Sequence, residues 1–352
     1  MDKLLITGHE GYIGHVITEN ALLQGYTVVG LDVGLYREGR IGPKNSHPNL
    51  LEIEKDLRLL NDSDFRSFDL SNASVIHLAG LSNDPLGEFD EKLTFDINFE
   101  ASKRLIDLCK TGGVSRFIFF STQSVYGISQ DDHEIEEHES GRLNPVTAYA
   151  KTKLLVENYL QTVADKSFEV IIFRPSTVFG PSRGFRSDIV FNNLTLNAYL
   201  KREVHVKSDG SPWRPVISVD DVSKAALQSL DKSLQNPIEV YNLGFPGGNF
   251  QVRDMAEIAA KSMGISKVIY ADSLNEDPRT YKVSFKKFRN NFEEIYRCGQ
   301  GIEKGGLDLK LFFDREKLSE KDGVQALTTR LAVLKRRIER GDINVELFKN
   351  EY

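Results

Sequence analysis

Tyr149 and Lys153, in the run Tyr149-Ala150-Lys151-Thr152-Lys153, stand four residues apart, which on a helix sets both side chains on one face. A phenol with an ordinary pKa of about 10 is a weak base at neutral pH, and a neighbouring ammonium favours the phenolate and lowers that value. Such a pair can take a proton from a hydroxyl and return it. The same spacing also occurs on plain amphipathic surface helices, so its chemistry depends on what surrounds it. Upstream, Ser121-Thr122-Gln123-Ser124-Val125-Tyr126-Gly127 closes a strand-like run. Ligands of open parallel sheets bind beyond the carboxyl ends of the strands, so these hydroxyls fall where a substrate would lie.

A second constellation, Gly8-His9-Glu10-Gly11-Tyr12-Ile13-Gly14, follows the first apolar run. Glycines at this spacing let the chain turn tightly, let a pyrophosphate approach the backbone and let a helix pack closely on its strand. The helix start then offers free N–H groups and a partial positive charge to an anion. Asp32 ends the next strand-like run, where a carboxylate accepts hydrogen bonds from adenosine ribose hydroxyls and repels a 2′-phosphate. NAD is favoured over NADP on this reading, with Arg37 as a nearby cation that pulls the other way. Asp56-Leu57 follows the third strand and could reach an adenine; the simpler reading is a solvated loop acid.

Taken in order, Gly8/Gly11/Gly14, Asp32, His77-Leu78-Ala79-Gly80, Asn98, the Ser-Thr-x-x-Val-Tyr-Gly run and Tyr149/Lys153 resemble the extended short-chain dehydrogenase/reductase family, in its nucleotide-sugar epimerase and dehydratase branch. The resemblance spans residues 1 to 285 and fades from Lys286 onward. It implies NAD held by Gly8, Gly11, Tyr12, Ile13, Gly14, Asp32, Asp56, Leu57, Leu78, Ala79, Gly80 and Asn98. It implies Tyr149 as general acid/base, Lys153 lowering its pKa and holding the nicotinamide ribose, and Thr122, ahead of Ser124, bonded to the same substrate oxygen. The helix at Asn98 would in turn hold Lys153. A nucleotide-diphosphate sugar would meet Ser82, Thr122, Asn193, Arg214 and, on a second extended segment, Arg279. Arg214 suits phosphate because its planar fork is permanently charged, the lesser alternative being packing on Trp213 at a strand edge.

The chain departs from the branch at one informative place. In 4,6-dehydratases an acidic pair follows the catalytic hydroxyl; here Gln123 and Ser124 stand there, and elimination loses its acid and base. Oxidation, reduction or epimerisation at a sugar hydroxyl, most readily C4, is what the resemblance then implies. The alternatives are a 4-keto-sugar reductase using NADPH and a non-catalytic dinucleotide-binding regulator. Homodimerisation through the helices at 98–111 and 149–164 is the family's habit.

Stepping outward, these residues need strands and helices to position them. Short β-branched runs at Lys3 to Thr7, Thr27 to Asp32, Leu50 to Lys55, Ser74 to Leu78, Arg116 to Ser121 and Glu169 to Pro175 alternate with stretches of three- and four-residue apolar spacing at 13–24, 98–111 and 149–164. That rhythm predicts an α/β fold, a Rossmann-type doubly wound parallel sheet, with a smaller C-terminal substrate-binding lobe. The expected division is a cofactor domain over residues 1–175, to which 214–245 returns through strands at Val216 to Val219 and Val240 to Leu243, and a substrate lobe over 176–352. The basic run Thr328 to Arg340 reads as a solvated helix face, and Lys207, Asp209 and Asp220 as solvated residues.

Composition sets the limits. The 352 residues are 40% hydrophobic and 27% charged with a net charge of −6, which gives no field to attract nucleic acid. Cys109 and Cys298 form no metal-binding pair and the seven histidines are scattered, so no catalytic metal is expected. No apolar run approaches membrane-spanning length, and the chain opens directly on a strand, so a cytoplasmic protein is expected.

Overall fold

Continuous apolar runs are the mark of strands covered on both faces, and such runs form the middle of a seven-stranded parallel sheet here. The computed structural model describes residues 3–44, 46–68, 70–82, 85, 89–129, 132–271, 280–298 and 301–349. The strands are β1 (Lys3–Thr7), β2 (Thr27–Asp32), β3 (Leu50–Glu54), β4 (Ser74–His77), β5 (Arg116–Phe120), β6 (Glu169–Pro175) and β7 (Ile238–Leu243). They lie in the order β7-β6-β5-β4-β1-β2-β3, every pairing parallel. The chain winds outward through β2 and β3, then crosses back to β4. A crevice therefore opens beyond the ends of β1 and β4, where ligands of such sheets bind.

The helices used below are α1 (Tyr12–Leu23), α2 (Ala101–Thr111), α3 (Ala148–Val163), α4 (Val190–Lys201), α5 (Val219–Gln228), α6 (Val252–Ser262), α7 (Ile302–Arg315) and α8 (Arg330–Glu339). Strand alternation sorts the core into two layers. On one face Ile6, Ile118 and Phe173 pack with Ile17 and Ala21 of α1 and Val222 and Ala226 of α5. On the other Leu5, Phe117 and Ile172 pack with Leu105 of α2 and Val156 and Leu160 of α3. The doubly wound expectation is met. Exposed positions of α2 and α3 include Arg104, Asp107, Lys151, Asn158 and Gln161.

A third core gathers Phe185, Phe191, Ala198, Met255, Ala259, Leu309 and Phe313 between α4, α6 and α7. One sequence expectation is corrected here. Val240 to Leu243 does return to the main sheet as part of β7, but Trp213–Ser218 pairs with Thr177–Phe179 in parallel and with Asn249–Gln251 antiparallel, in a separate three-stranded sheet. Val219 already begins α5. Apolar character marks a strand without naming its partner.

The C-terminal helix is a second correction. Val333 and Leu334 of α8 are buried; Leu334 packs with Leu35, Leu81, Ile343 and Leu347. Arg337 donates to the carbonyls of Gly34 and Leu35 at 3.1 and 2.8 Å. The helix thus lies on the loop after β2. No helix among the described residues is long and apolar enough to cross a membrane.

Candidate active site

The glycine turn is built by contacts that leave no room for side chains. Gly8 has φ +73°, and a Cβ there would lie 2.8 Å from the Ala79 nitrogen; one on Gly14 would lie 2.1 Å from the Gly8 oxygen. The Gly11 nitrogen donates to Gly8 oxygen at 2.9 Å. Gly11 precedes α1 with no side chain capping it, so the helix start keeps donors for a ligand. Tyr12 is buried, its hydroxyl donating to Gly180 oxygen at 2.8 Å and accepting from Asn192 at 3.1 Å. This ties the turn to the segment beyond β6, and burial raises the phenol's pKa above its ordinary range.

Asp32 ends β2 and accepts from the Glu10 nitrogen at 3.1 Å and the Gly34 nitrogen at 2.8 Å. Desolvation raises its pKa, with His9 opposing the rise. Arg37, the cation that argued for NADP, is taken up by carboxylates: its Nε donates to Glu10 at 2.5 Å and its Nη1 to Glu54. Asp56 accepts from the nitrogen of Arg58 at 2.8 Å and pairs with its guanidinium at 2.7 Å. Gly8, Gly11, Tyr12, Ile13, Gly14, Asp32, Asp56 and Leu57 all line one cavity of about 1170 Å³, as do Leu78, Ala79 and Gly80. That is ample for a dinucleotide with a second ligand.

Tyr149 and Lys153 line the same cavity, with Thr122 and Ser124. Thr147 caps α3 by accepting from the Ala150 nitrogen at 3.2 Å, which fixes Tyr149 in the first turn. Lys153 is 5% exposed; its Nζ donates to the Phe120 carbonyl at 2.8 Å, and desolvation pushes its pKa down to about 8. Thr122 ends the β5 run, its Oγ1 accepting from the Ser124 nitrogen at 3.1 Å.

Asn98 differs from expectation. It sits in a π-helical turn, Asp96–Glu100, and does not line the cavity. Its Oδ1 accepts from the Leu81 nitrogen at 2.7 Å and its Nδ2 donates to the Leu81 oxygen at 3.0 Å and to Thr152 at 3.3 Å. The strand-end carbonyl of Phe120 holds Lys153, while Asn98 fixes the loop after β4. Gln123 is 1% exposed, donating to the carbonyls of Arg174 and Leu243 at 3.0 and 3.2 Å; it props the scaffold.

On the substrate side Ser82, Asn193 and Arg214 line the cavity. Asn193 Nδ2 donates to Ser187 oxygen at 2.7 Å, and Arg214 Nη1 to Trp213 oxygen at 2.9 Å. The cation over the Trp213 ring is Lys282, 4.1 Å from its centroid. Arg279, with Asn83 and Asp84, lies outside the described residues. Sequence reasoning missed Tyr36, Arg186, Asp188 and Arg330, and set Lys207 aside as solvated; all line the cavity. Arg186 pairs with Asp188 through two bonds of 2.9 and 3.0 Å and donates to Ser82 Oγ at 2.9 Å. Only the short Arg186-Ser187-Asp188 spacing was visible in the sequence as a signal. His9, Glu10 and Glu52 also converge within 4.8 Å, but Lys44 pairs with Glu52 at 2.5 Å and Arg37 with Glu10, so cations already neutralise them.

The sequence profile of the NAD dependent epimerase/dehydratase family matches residues 4–244. The chain belongs to this family. Among the relatives of this epimerase/dehydratase-family enzyme is a trifunctional UDP-glucose 4,6-dehydratase/UDP-4-keto-6-deoxy-D-glucose 3,5-epimerase/UDP-4-keto-L-rhamnose-reductase of Arabidopsis thaliana, 27% identical over 315 residues. The match covers 84% of this chain and 46% of that protein, so the chain spans under half of its relative's length. Among solved structures, MoeE5 in complex with UDP-glucose and NAD is 26% identical with a TM-score of 0.74, covering 90% of this chain and 100% of that one. TunA, an NAD-dependent NDP-hexosamine 5,6-dehydratase of tunicamycin biosynthesis, is 25% identical with a TM-score of 0.74, covering 90% and 99%. The family model and these neighbours place the chain among extended short-chain dehydrogenases/reductases with a Rossmann-type sheet.

Proposed function

We propose that this chain binds NAD and a nucleotide-diphosphate sugar in one cavity and oxidises a sugar hydroxyl, most readily at C4, reversibly to the ketone. The observation that carries the proposal is the placement of Tyr149, Lys153 and Thr122 on the cavity that the glycine turn and Asp32 also line. The uncapped α1 start and the side-chain-free turn fit a pyrophosphate. Asp32 fits a ribose diol. Bound there, NAD supplies a reversible hydride acceptor.

The residues divide the remaining work. Lys153, desolvated and fixed on Phe120 oxygen, puts a cation one helical turn from Tyr149 and favours the phenolate. Tyr149 takes the proton of the sugar hydroxyl as its carbon becomes a ketone, and gives it back on reduction. Thr122 orients the same oxygen. Arg214 and Asn193 stand at the cavity wall where the diphosphate of the sugar nucleotide fits. With Gln123 turned into the scaffold, no acid follows Thr122 to expel water, so the step ends at the ketone without elimination. Epimerisation and net oxidation share this half-reaction.

Denaturing the purified protein and identifying the released dinucleotide tests the cofactor reading. Retained NAD supports a cycle that regenerates its cofactor. Recovery of NADP alone, or of no dinucleotide from protein that also fails to bind added NAD, would overturn it. The engagement of Arg37 by Glu10 and Glu54 weighs against a reductase built for a 2′-phosphate.

A further inference from the structure

Arg330 opens α8, far along the chain from every motif discussed above. It is 6% exposed and lines the cavity. Its Nη2 donates to Gly184 oxygen at 3.3 Å, and its guanidinium stands 4.0 Å above the centre of the Tyr36 ring. It makes no ion pair among the described residues. Burial pushes its pKa down to about 10, with neighbouring Arg186 adding to the fall and Tyr36, Asp188 and Asp32 opposing it. Asp188 is itself paired with Arg186, so Arg330 is a cation withdrawn from water with acids in its field but no direct ion pair, a position that a bound anion would relieve.

Two contacts locate that cation. Gly184, whose carbonyl it binds, is pressed against the glycine turn: a Cβ on Gly184 would lie 2.9 Å from the carbonyl carbon and oxygen of Gly11. Tyr36, beneath the guanidinium, follows Asp32 by four residues. Arg330 therefore lies between the ribose-binding end of β2 and the turn before α1. The position is held firmly. The Ser187 nitrogen donates to Thr328 oxygen at 3.2 Å, and Arg337 grips the Gly34 and Leu35 carbonyls.

We infer that Arg330 is an anion site for the pyrophosphate of the bound dinucleotide, supplied by the C-terminal segment. It would add a charged fork to the backbone N–H groups of the turn. The inference rests on the NAD reading above and extends it to a segment outside the 4–244 match.

The test compares the full-length wild type with Arg330→Met, both freed of bound dinucleotide. Calorimetry gives the affinity for NAD and ADP-ribose; competition against ADP-ribose gives that for adenosine, which lacks the pyrophosphate. Loss of a charge-assisted bond should weaken NAD and ADP-ribose roughly 10- to 100-fold and leave adenosine unchanged. Equal loss for all three, or no loss, would overturn the assignment. Should Arg330→Met fail to fold, Arg330→Lys carries the same comparison, since a point charge replaces the fork: ADP-ribose should fall several-fold with adenosine unchanged, and unchanged ADP-ribose would overturn it. A wild type that binds no NAD would overturn the cofactor reading itself, and this inference with it.

Discussion

Glu157, one helical turn beyond Lys153 on α3, is fully buried and bonded to Arg174 of β6 at 2.6 Å, with that side chain 3% exposed. The same carboxylate accepts from the Ser121 hydroxyl, and Arg174 donates to the Tyr126 hydroxyl at 2.9 Å. The pair thus ties the helix carrying Tyr149 and Lys153 to the loop carrying Thr122. Its value is positional, since burying two charges costs about as much as their attraction returns. Removing one partner leaves the other charge buried alone. Glu157→Gln should lower stability by about 3–5 kcal/mol in urea denaturation, and a paired replacement of both residues by Met should recover most of it. A change below ~1 kcal/mol in the single variant would contradict this.

Lys153 makes stability depend on pH in a definite direction. Its folded pKa is about 8, below the unfolded value of about 10.4. Between these values the unfolded chain binds more protons, so stability rises with pH across that window. Below about 8 the full cost of burying the ammonium is present, an upper bound of roughly 3 kcal/mol. Lys153→Met should remove that part of the slope between pH 8 and pH 10.4 and stabilise the ligand-free protein at pH 7. Parallel pH profiles for the two proteins would refute the shift.

Gln123 separates scaffold from chemistry. Gln123→Ala removes a buried donor to the Arg174 and Leu243 carbonyls, the second of which keeps Ser176, and should cost about 1–3 kcal/mol. Hydride transfer per folded molecule should change less than about tenfold, because the side chain is bonded away from the cavity. Gln123→Glu should not create a dehydratase. Unsaturated or dehydrated sugar products from that variant, detected by mass spectrometry, would contradict the placement.

The parts of the site that were readable from the sequence are those whose geometry is local. Gly8 to Gly14 is a turn opening a helix, Tyr149 and Lys153 are one turn apart, and both patterns state their own shape. Asn98 was expected at the cofactor but lies off the cavity lining, because a side chain's bonds to Leu81 and Thr152 cross loops that periodicity does not describe. Arg330 was invisible for the same reason. Its contacts with Gly184 and Tyr36 span 146 and 294 residues, and its helix has an amphipathic pattern that fits solvent exposure as well as it fits packing on Leu35. A strand was recognisable at Val216 to Val219, within three residues of the observed Trp213–Ser218, but which sheet it joins depends on Thr177–Phe179 and Asn249–Gln251, whose short runs gave no pairing signal.

Cofactor choice should depend on Asp32 and on the two carboxylates that hold Arg37, Glu10 and Glu54. Asp32 and Glu10 both line the cavity, and Glu10 also occupies Arg37. Asp32→Ser alone should weaken NAD about tenfold or more through lost charge-assisted bonds yet gain little NADP affinity. Asp32→Ser with Glu10→Gln and Glu54→Gln, which together free Arg37, should bind NADP measurably. Strong NADP binding by the single variant would show that Arg37 was available from the start.

The most direct measurement is single-turnover reduction of bound NAD, followed at the absorbance of reduced nicotinamide, in wild type and Tyr149→Phe challenged with a panel of UDP-, dTDP-, GDP- and CDP-sugars. At least one sugar nucleotide should reduce the wild type's NAD. In Tyr149→Phe that reduction should fall by at least about 100-fold, in line with the loss of general acid/base catalysis, while calorimetry shows NAD bound as tightly as before. Reduction at near wild-type rate in the phenylalanine variant, or no reduction of the wild type by any sugar nucleotide, would contradict proton transfer by Tyr149 at a sugar hydroxyl.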